Sequence, residues 1–95
     1  EKVKELAEKF EFNYNKLTLK NIKSRWGSCS RINNINLSIH LMRLPDHLID
    51  YVILHELAHT VHHNHSKRFW SLLDKVTSGA KSLDKELRKY RIAIY

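Results

Sequence analysis

Asp50-Tyr-Val-Ile-Leu-His55-Glu56-Leu-Ala-His59-Thr-Val-His-His-Asn-His65 is the stretch on which the reading of this chain turns. From Pro45 to about His63 the pattern is helical and apolar on most sides, so it predicts a helix running through the core. Pro45 stands where a first helical turn would begin. Asp46 and Asp50 place negative charge near the positive end of the helix dipole.

Within that helix the chemistry is concentrated in His55-Glu-Leu-Ala-His59. Residues four apart on a helix are offset by about 40° and about 6 Å, so His55 and His59 reach one point beside the axis. Zinc accepts imidazole nitrogen at about 2.0–2.1 Å, and this spacing lets one helix supply two ligands. Glu56 stands on the same side of the cylinder without being a ligand, the place for a general base acting on a zinc-bound water. Two imidazoles and a carboxylate in a buried helix are costly without a partner, and a metal removes that cost. The plainer alternative is a set of core histidines paired with backbone or carboxylate groups.

A hydrolytic zinc has three protein ligands. His65 is the candidate for the third, but a continuous helix would carry it to the wrong side, so the chain must stop and fold back after His59. Asn64 is read as the left-handed residue that allows this. Cys29 is the alternative fourth ligand, and its coordination would make the site closed and structural. His62 and His63 are read as rim residues, and His40 and His47 as surface histidines. Arg25, His62 and Tyr95 are weighed as oxyanion stabilisers, and the sequence does not choose among them.

Outward from this helix, Val3, Leu6, Ala7 and Phe10 form one apolar stripe on a helix of roughly residues 2–12. Leu17, Leu19 and Ile22 read as a short strand. Ser24-Arg-Trp-Gly-Ser-Cys29 reads as extended, with Gly27 marking a bulge or a close backbone approach. Asn33-Asn34 reads as a hairpin turn. Ile35, Leu37, Ile39 and Leu41 alternate with polar residues, a strand with one wet face. Ser66 is read as the N-cap of a helix carrying Phe69, Trp70, Leu72, Leu73 and Val76, with Gly79 closing it as a C′ residue. Ser82 is read as the cap of a last helix with Leu83, Leu87 and Tyr90 inward. The expected fold is α+β: an N-terminal helix, a small antiparallel β-sheet, the long active-site helix and two C-terminal helices, a minimal zincin-like core forming one domain over residues 1–95.

Ninety-five residues bound the chain to a single modest core. Two glycines and one proline exclude collagen-like and linker classes. No apolar run is long enough to span a membrane, and one cysteine, Cys29, fits a reducing compartment, so the cytosol is the default location. The net charge of +7 is uneven. Lys16, Lys20, Lys23, Arg25, Arg31 and Arg43 lie in an acid-free stretch, and a second basic stretch with Lys67, Arg68 and Lys81 is set against Asp74, Asp84 and Glu86. Such a surface suits acidic partners, nucleotides or nucleic acid among them.

Taken in order, Arg25-Trp-Gly-Ser-Cys29, His55-Glu-Leu-Ala-His59, Asn64-His-Ser66 and Phe69-Trp70 resemble the YgjP-like metal-dependent hydrolases, relatives of the SprT-like and gluzincin zinc peptidases. The resemblance runs from Arg25 to Trp70. It implies one Zn²⁺ held by His55, His59 and His65, with Glu56 catalytic, and a peptide or protein substrate. Members of the resembled family are usually longer, so the chain is read as the C-terminal core of a longer protein, monomeric by default. Two other functions stand beside the peptidase. One is a metal-dependent nucleoside triphosphate pyrophosphatase, since the family has also been described so and Lys23, Arg25, Arg43, Lys67 and Arg68 suit phosphates. The other is a basic nucleic-acid-binding module with a structural zinc.

Overall fold

A computed structural model describes residues 2–90. In chain order these form α1 (Lys2–Lys9), β1 (Lys16–Lys20), β2 (Gly27–Cys29), β3 (Asn34–Ser38), a 3-10 turn (Ile39–Arg43), α2 (Asp46–Ala58), α3 (Lys67–Val76) and α4 (Ala80–Leu87). The α+β architecture matches the expectation. α2 is the axis of the molecule: every residue from Tyr51 to Ala58 is buried, and α1, α3, α4, β2 and β3 all pack against it. A helix apolar all round is stable only when enclosed on every side, as this one is.

α1 turns Val3 and Ala7 onto α2, with Leu6 and Phe10 partly buried beside them. It stops at Glu11, whose φ of 60° lets Phe12 N–H reach the Ala7 carbonyl at 2.8 Å, a Schellman closure that buries the Phe12 ring. The sequence carried that helix to about residue 12, whereas α1 ends at Lys9.

The sheet is three-stranded in the order β1-β3-β2. β2 and β3 are antiparallel, Gly27 opposite Leu37, whereas β1 and β3 are parallel, Lys16 opposite Asn34. The expected antiparallel sheet is therefore mixed. β1 and β2 occupy the two edges, so the link between them carries the chain past the place β3 later fills. The hairpin turn is where the sequence put it: Asn33 has φ 63°, and its N–H bonds to the Ser30 carbonyl. Asn15 Nδ2 donates to Asn34 Oδ1 at 2.7 Å, tying the start of β1 to that turn.

β3 ends three residues before the expected Leu41. Ser38 is the cause: its hydroxyl accepts the His40 N–H at 3.1 Å and donates to the Ile22 carbonyl at 2.7 Å, capping the 3-10 turn instead of extending the ladder. Leu41 still reaches the core from that turn, while Ile39 is 48% exposed. β3 is also the central strand, so both its edges are paired.

Ser66 caps α3 as expected, accepting the Phe69 N–H at 3.3 Å. Gly79 is not the terminal residue of α3, which ends at Val76; its φ of 92° makes it the N-cap of α4. Gly79 has no side chain to cap with, and Asp74 of α3 accepts the Ala80 N–H instead, at 2.9 Å. Ser82, the expected cap, lies inside α4. Leu87 is buried, and Leu83 and Tyr90 are partly so. No helix among the described residues is long and apolar enough to cross a membrane.

Candidate metal centre

The site is built where α2 stops. His59 is the C-cap, and the following N–H groups close tightly behind it: Thr60 on the Leu57 carbonyl, then Val61 and His62 on that of Ala58. The Thr60 hydroxyl adds a bond to the Leu57 carbonyl. The chain turns back through these contacts with no left-handed residue, so Asn64 does not play the part assigned to it. The helix also ends five residues sooner than the expected His63, at Ala58.

The reversal brings His65 alongside His59, with their Nε2 atoms 3.2 Å apart. His55, His59 and His65 each present one nitrogen, and the three nitrogens lie within 4.8 Å of one another. Phe69, one turn into α3, lies beneath them: the His59 ring stacks on it at 4.4 Å, and the His55 and His65 rings meet its edge at 5.0 Å. The sequence marked Phe69 as core. Its position four residues after His65 is the signal that it also shapes the cluster.

Charge and proton position suit a cation. Burial, helped by His65, lowers the His55 pKa to about 3, against an opposing pull from Asp84. Burial likewise lowers His59 to about 4 although Glu56 opposes it. Both rings are therefore neutral at pH 7. His59 Nδ1 lies 3.0 Å from the His62 carbonyl, a bond only Nδ1–H can donate, so the Nε2 lone pair faces the cluster. Two imidazole nitrogens held tetrahedrally at about 2.0–2.1 Å from zinc would be about 3.3 Å apart. The 3.2 Å between His59 and His65 agrees with that spacing, and the donor set fits a borderline-soft divalent ion.

Glu56 is fully buried beside the cluster, and its Oε2 accepts no hydrogen bond among the described residues. Burial raises its pKa to about 7, while His59, His65 and Arg25 pull it down. Gly27 explains how β2 comes so close. A Cβ there would stand 3.0 Å from the Asn36 carbonyl and 3.2 Å from Glu56 Cγ, so the close approach read from the sequence is real. Glu56, His59 and His65 line a cavity of about 280 Å³ together with Arg25, Cys29 and His63.

Cys29 shares that cavity but is not among the clustered ligand atoms. Burial and then the Glu56 charge push its thiol up to about 11, leaving it protonated, and Sγ faces the Ser30 carbonyl at 3.5 Å. His63 bonds to Asn33 Oδ1 across the cavity mouth. His40 and His47 are away from the cluster, bonded to Asn21 and Glu86. Tyr95 lies outside the described residues. Nothing in the local pattern announced the support behind His55: the Tyr51 ring meets His55 edge-on at 5.9 Å, and its hydroxyl donates to the buried Asp84 at 3.1 Å.

The family model for the YgjP-like metallopeptidase domain matches residues 1–90. Among solved structures, the metallopeptidase zymogen of Pyrococcus abyssi abylysin is similar with a TM-score of 0.80 at 22% identity, covering 99% of this chain and 96% of that one. The metallopeptidase zymogen of Methanocaldococcus jannaschii jannalysin gives 0.76 at 21% identity, over 93% of this chain and 91% of that one. At such identities the likeness establishes the fold. Comparison with curated proteins gives no match.

Proposed function

The chain belongs to the YgjP-like metallopeptidase domain family and is a metal-dependent hydrolase, and we propose that it is a zinc peptidase in which His55, His59 and His65 hold one ion and Glu56 is the general base. The observation that carries this reading is the convergence of three imidazole nitrogens beside a buried carboxylate. When bound, zinc supplies Lewis acidity toward a peptide carbonyl and lowers the pKa of water toward about 7.

Glu56 takes the proton of the attacking water at a free oxygen and returns it to the departing amine nitrogen. A pKa near 7 suits both transfers, since the group must be a base first and an acid afterwards. Phe69 and the His62 carbonyl keep His59 in one orientation and one tautomer. β2 offers the peptide an edge, unpaired among the described residues, beside Glu56. Arg25 faces the same cavity and opposes the protonation of Glu56.

The test uses zinc-loaded protein, an unstructured protein substrate and Glu56→Gln. The expected result is one zinc per chain in both forms, with hydrolysis reduced about 10²–10⁴-fold in the variant. Pyrophosphate release from nucleoside triphosphates without proteolysis would replace the substrate class. Salt-sensitive nucleic-acid binding, with no hydrolysis and no effect of Glu56→Gln, would replace the enzyme by a binding module.

A further inference from the structure

His65 stands between two hollows. One is the 280 Å³ cavity holding Glu56. The other, about 540 Å³, is lined by His65, Lys67, Trp70, Ser71, Asp74 and Lys81. Trp70 lines the second hollow and stands close to the cluster, its ring 6.2 Å from that of His65 and 6.4 Å from that of His55.

The charge of this second hollow is set by two lysines. Lys67 is the first residue of α3 and Lys81 the second of α4, so both helix dipoles add to the positive potential there. Among the described residues neither lysine is in an ion pair. The Lys81 ammonium instead lies 3.7 Å from the centre of the Trp70 ring, which holds it in place without neutralising it. Asp74 is the single acid of the wall, and its Oδ1 is committed to the Ala80 N–H. Two cations, one engaged acid, a hydroxyl on Ser71 and an indole wall for methylene groups make a receptor for a monoanion on a short aliphatic stem. A phosphate fits less well, because the hollow has no glycine-rich backbone nest to meet its oxygens and the indole wall offers it no stem to hold.

We propose that the hollow beyond His65 binds a substrate carboxylate between Lys67 and Lys81, so that the enzyme prefers an acidic residue or a free carboxy terminus beside the cleaved bond. The substrate class rests on the peptidase reading above; the anion site itself does not.

The test therefore has a binding arm independent of turnover. Zinc-loaded protein is titrated, with the Trp70 indole N–H followed by NMR, using acetyl-glutamate amide (side-chain carboxylate only), acetylglycine (terminal carboxylate only), acetyl-glutamine amide and inorganic phosphate. Saturable shifts are expected with at least one carboxylate and none with the glutamine compound, and the tighter of the two carboxylates identifies its source. Lys67→Gln and Lys81→Gln should each weaken that binding about fivefold or more, as loss of a charge-assisted hydrogen bond does. Lys4→Gln, which removes the same charge from an exposed part of α1, should leave it unchanged. Equal binding of the glutamine compound, tighter binding of phosphate, or carboxylate binding indifferent to both lysines would overturn the proposal; the last would mark a carboxylate held at the metal. In the turnover arm, peptides differing only in Glu or Gln beside the cleaved bond should differ about tenfold in kcat/KM, and Lys81→Gln should collapse that ratio. Hydrolysis with no Glu preference and no indole shift would sink this site and leave the peptidase. Carboxylate binding without hydrolysis of any peptide would uphold the site and sink the peptidase.

Discussion

Among the described residues two histidine–glutamate pairs are treated in opposite ways. His47 and Glu86 approach to 2.7 Å between α2 and α4, with side chains 54% and 40% exposed. His55 and Glu56 approach to 3.4 Å, each only 1% exposed. Distance alone would make both ion pairs. In the second, desolvation outweighs attraction: His55 is driven down to about 3 and Glu56 up to about 7, so the buried pair is not a salt bridge near neutral pH. What the contrast teaches is that burial turns the same two residue types from a screened surface contact into neutral donors beside a weak base. A bound cation would make that arrangement favourable.

The largest expected effect separates the two sets of histidines. His59→Ala should reduce zinc from one per chain to near zero and abolish hydrolysis, while His47→Ala should keep both; elemental analysis decides it. Loss of zinc in His47→Ala would break the contrast. Next come the glutamates. Glu56→Gln should lower kcat by about 10²–10⁴ with zinc retained, whereas Glu86→Gln should change it by no more than about twofold.

A smaller effect appears in the metal-free chain, where the pH signs oppose one another. His55 and His59 have folded values below their ordinary 6.5, so protonation favours the unfolded chain. Their penalty is absent above about pH 6.5 and grows as the pH falls toward 4. Glu56 has a folded value of about 7 against an ordinary 4.5, so its ionisation favours the unfolded chain. That penalty is absent below 4.5 and complete above 7. Metal-free Glu56→Gln should therefore be more stable than metal-free wild type at pH 8, by about 3 kcal/mol, with the gap closing by pH 4.5. Denaturant melts in chelator at the two pH values measure this. A less stable variant at pH 8 would mean that the carboxylate has a partner the cluster does not reveal.

The same division governs what the sequence disclosed. Helical spacing is local, so the convergence of His55 and His59, the Ser66 cap and the need for a reversal before His65 were all legible. How the reversal is made was not. It depends on successive N–H groups closing on Leu57 and Ala58, and no residue such as Asn64 marks it. Ser38 ended a strand whose alternation continued to Leu41, because a hydroxyl bound to Ile22, sixteen residues away, outcompeted the ladder. The parallel pairing of β1 with β3 and the Tyr51–Asp84 contact behind His55 likewise join distant segments, and no local pattern encodes them.

The least effect belongs to the surface pair, and its smallness is the sharpest check on the role of burial. Exposed pairs contribute about 0.2–1 kcal/mol, because water already solvates both groups and ordering two side chains costs entropy. A double-mutant cycle of His47→Ala and Glu86→Gln at pH 6 should give a coupling below about 1 kcal/mol that shrinks further in 1 M salt, where the screening length is about 3 Å. A coupling of several kcal/mol that survived salt would show the contact between α2 and α4 to be as strong as a buried one. Exposure would then no longer explain why one pair is a surface contact and the other lies in the candidate metal centre.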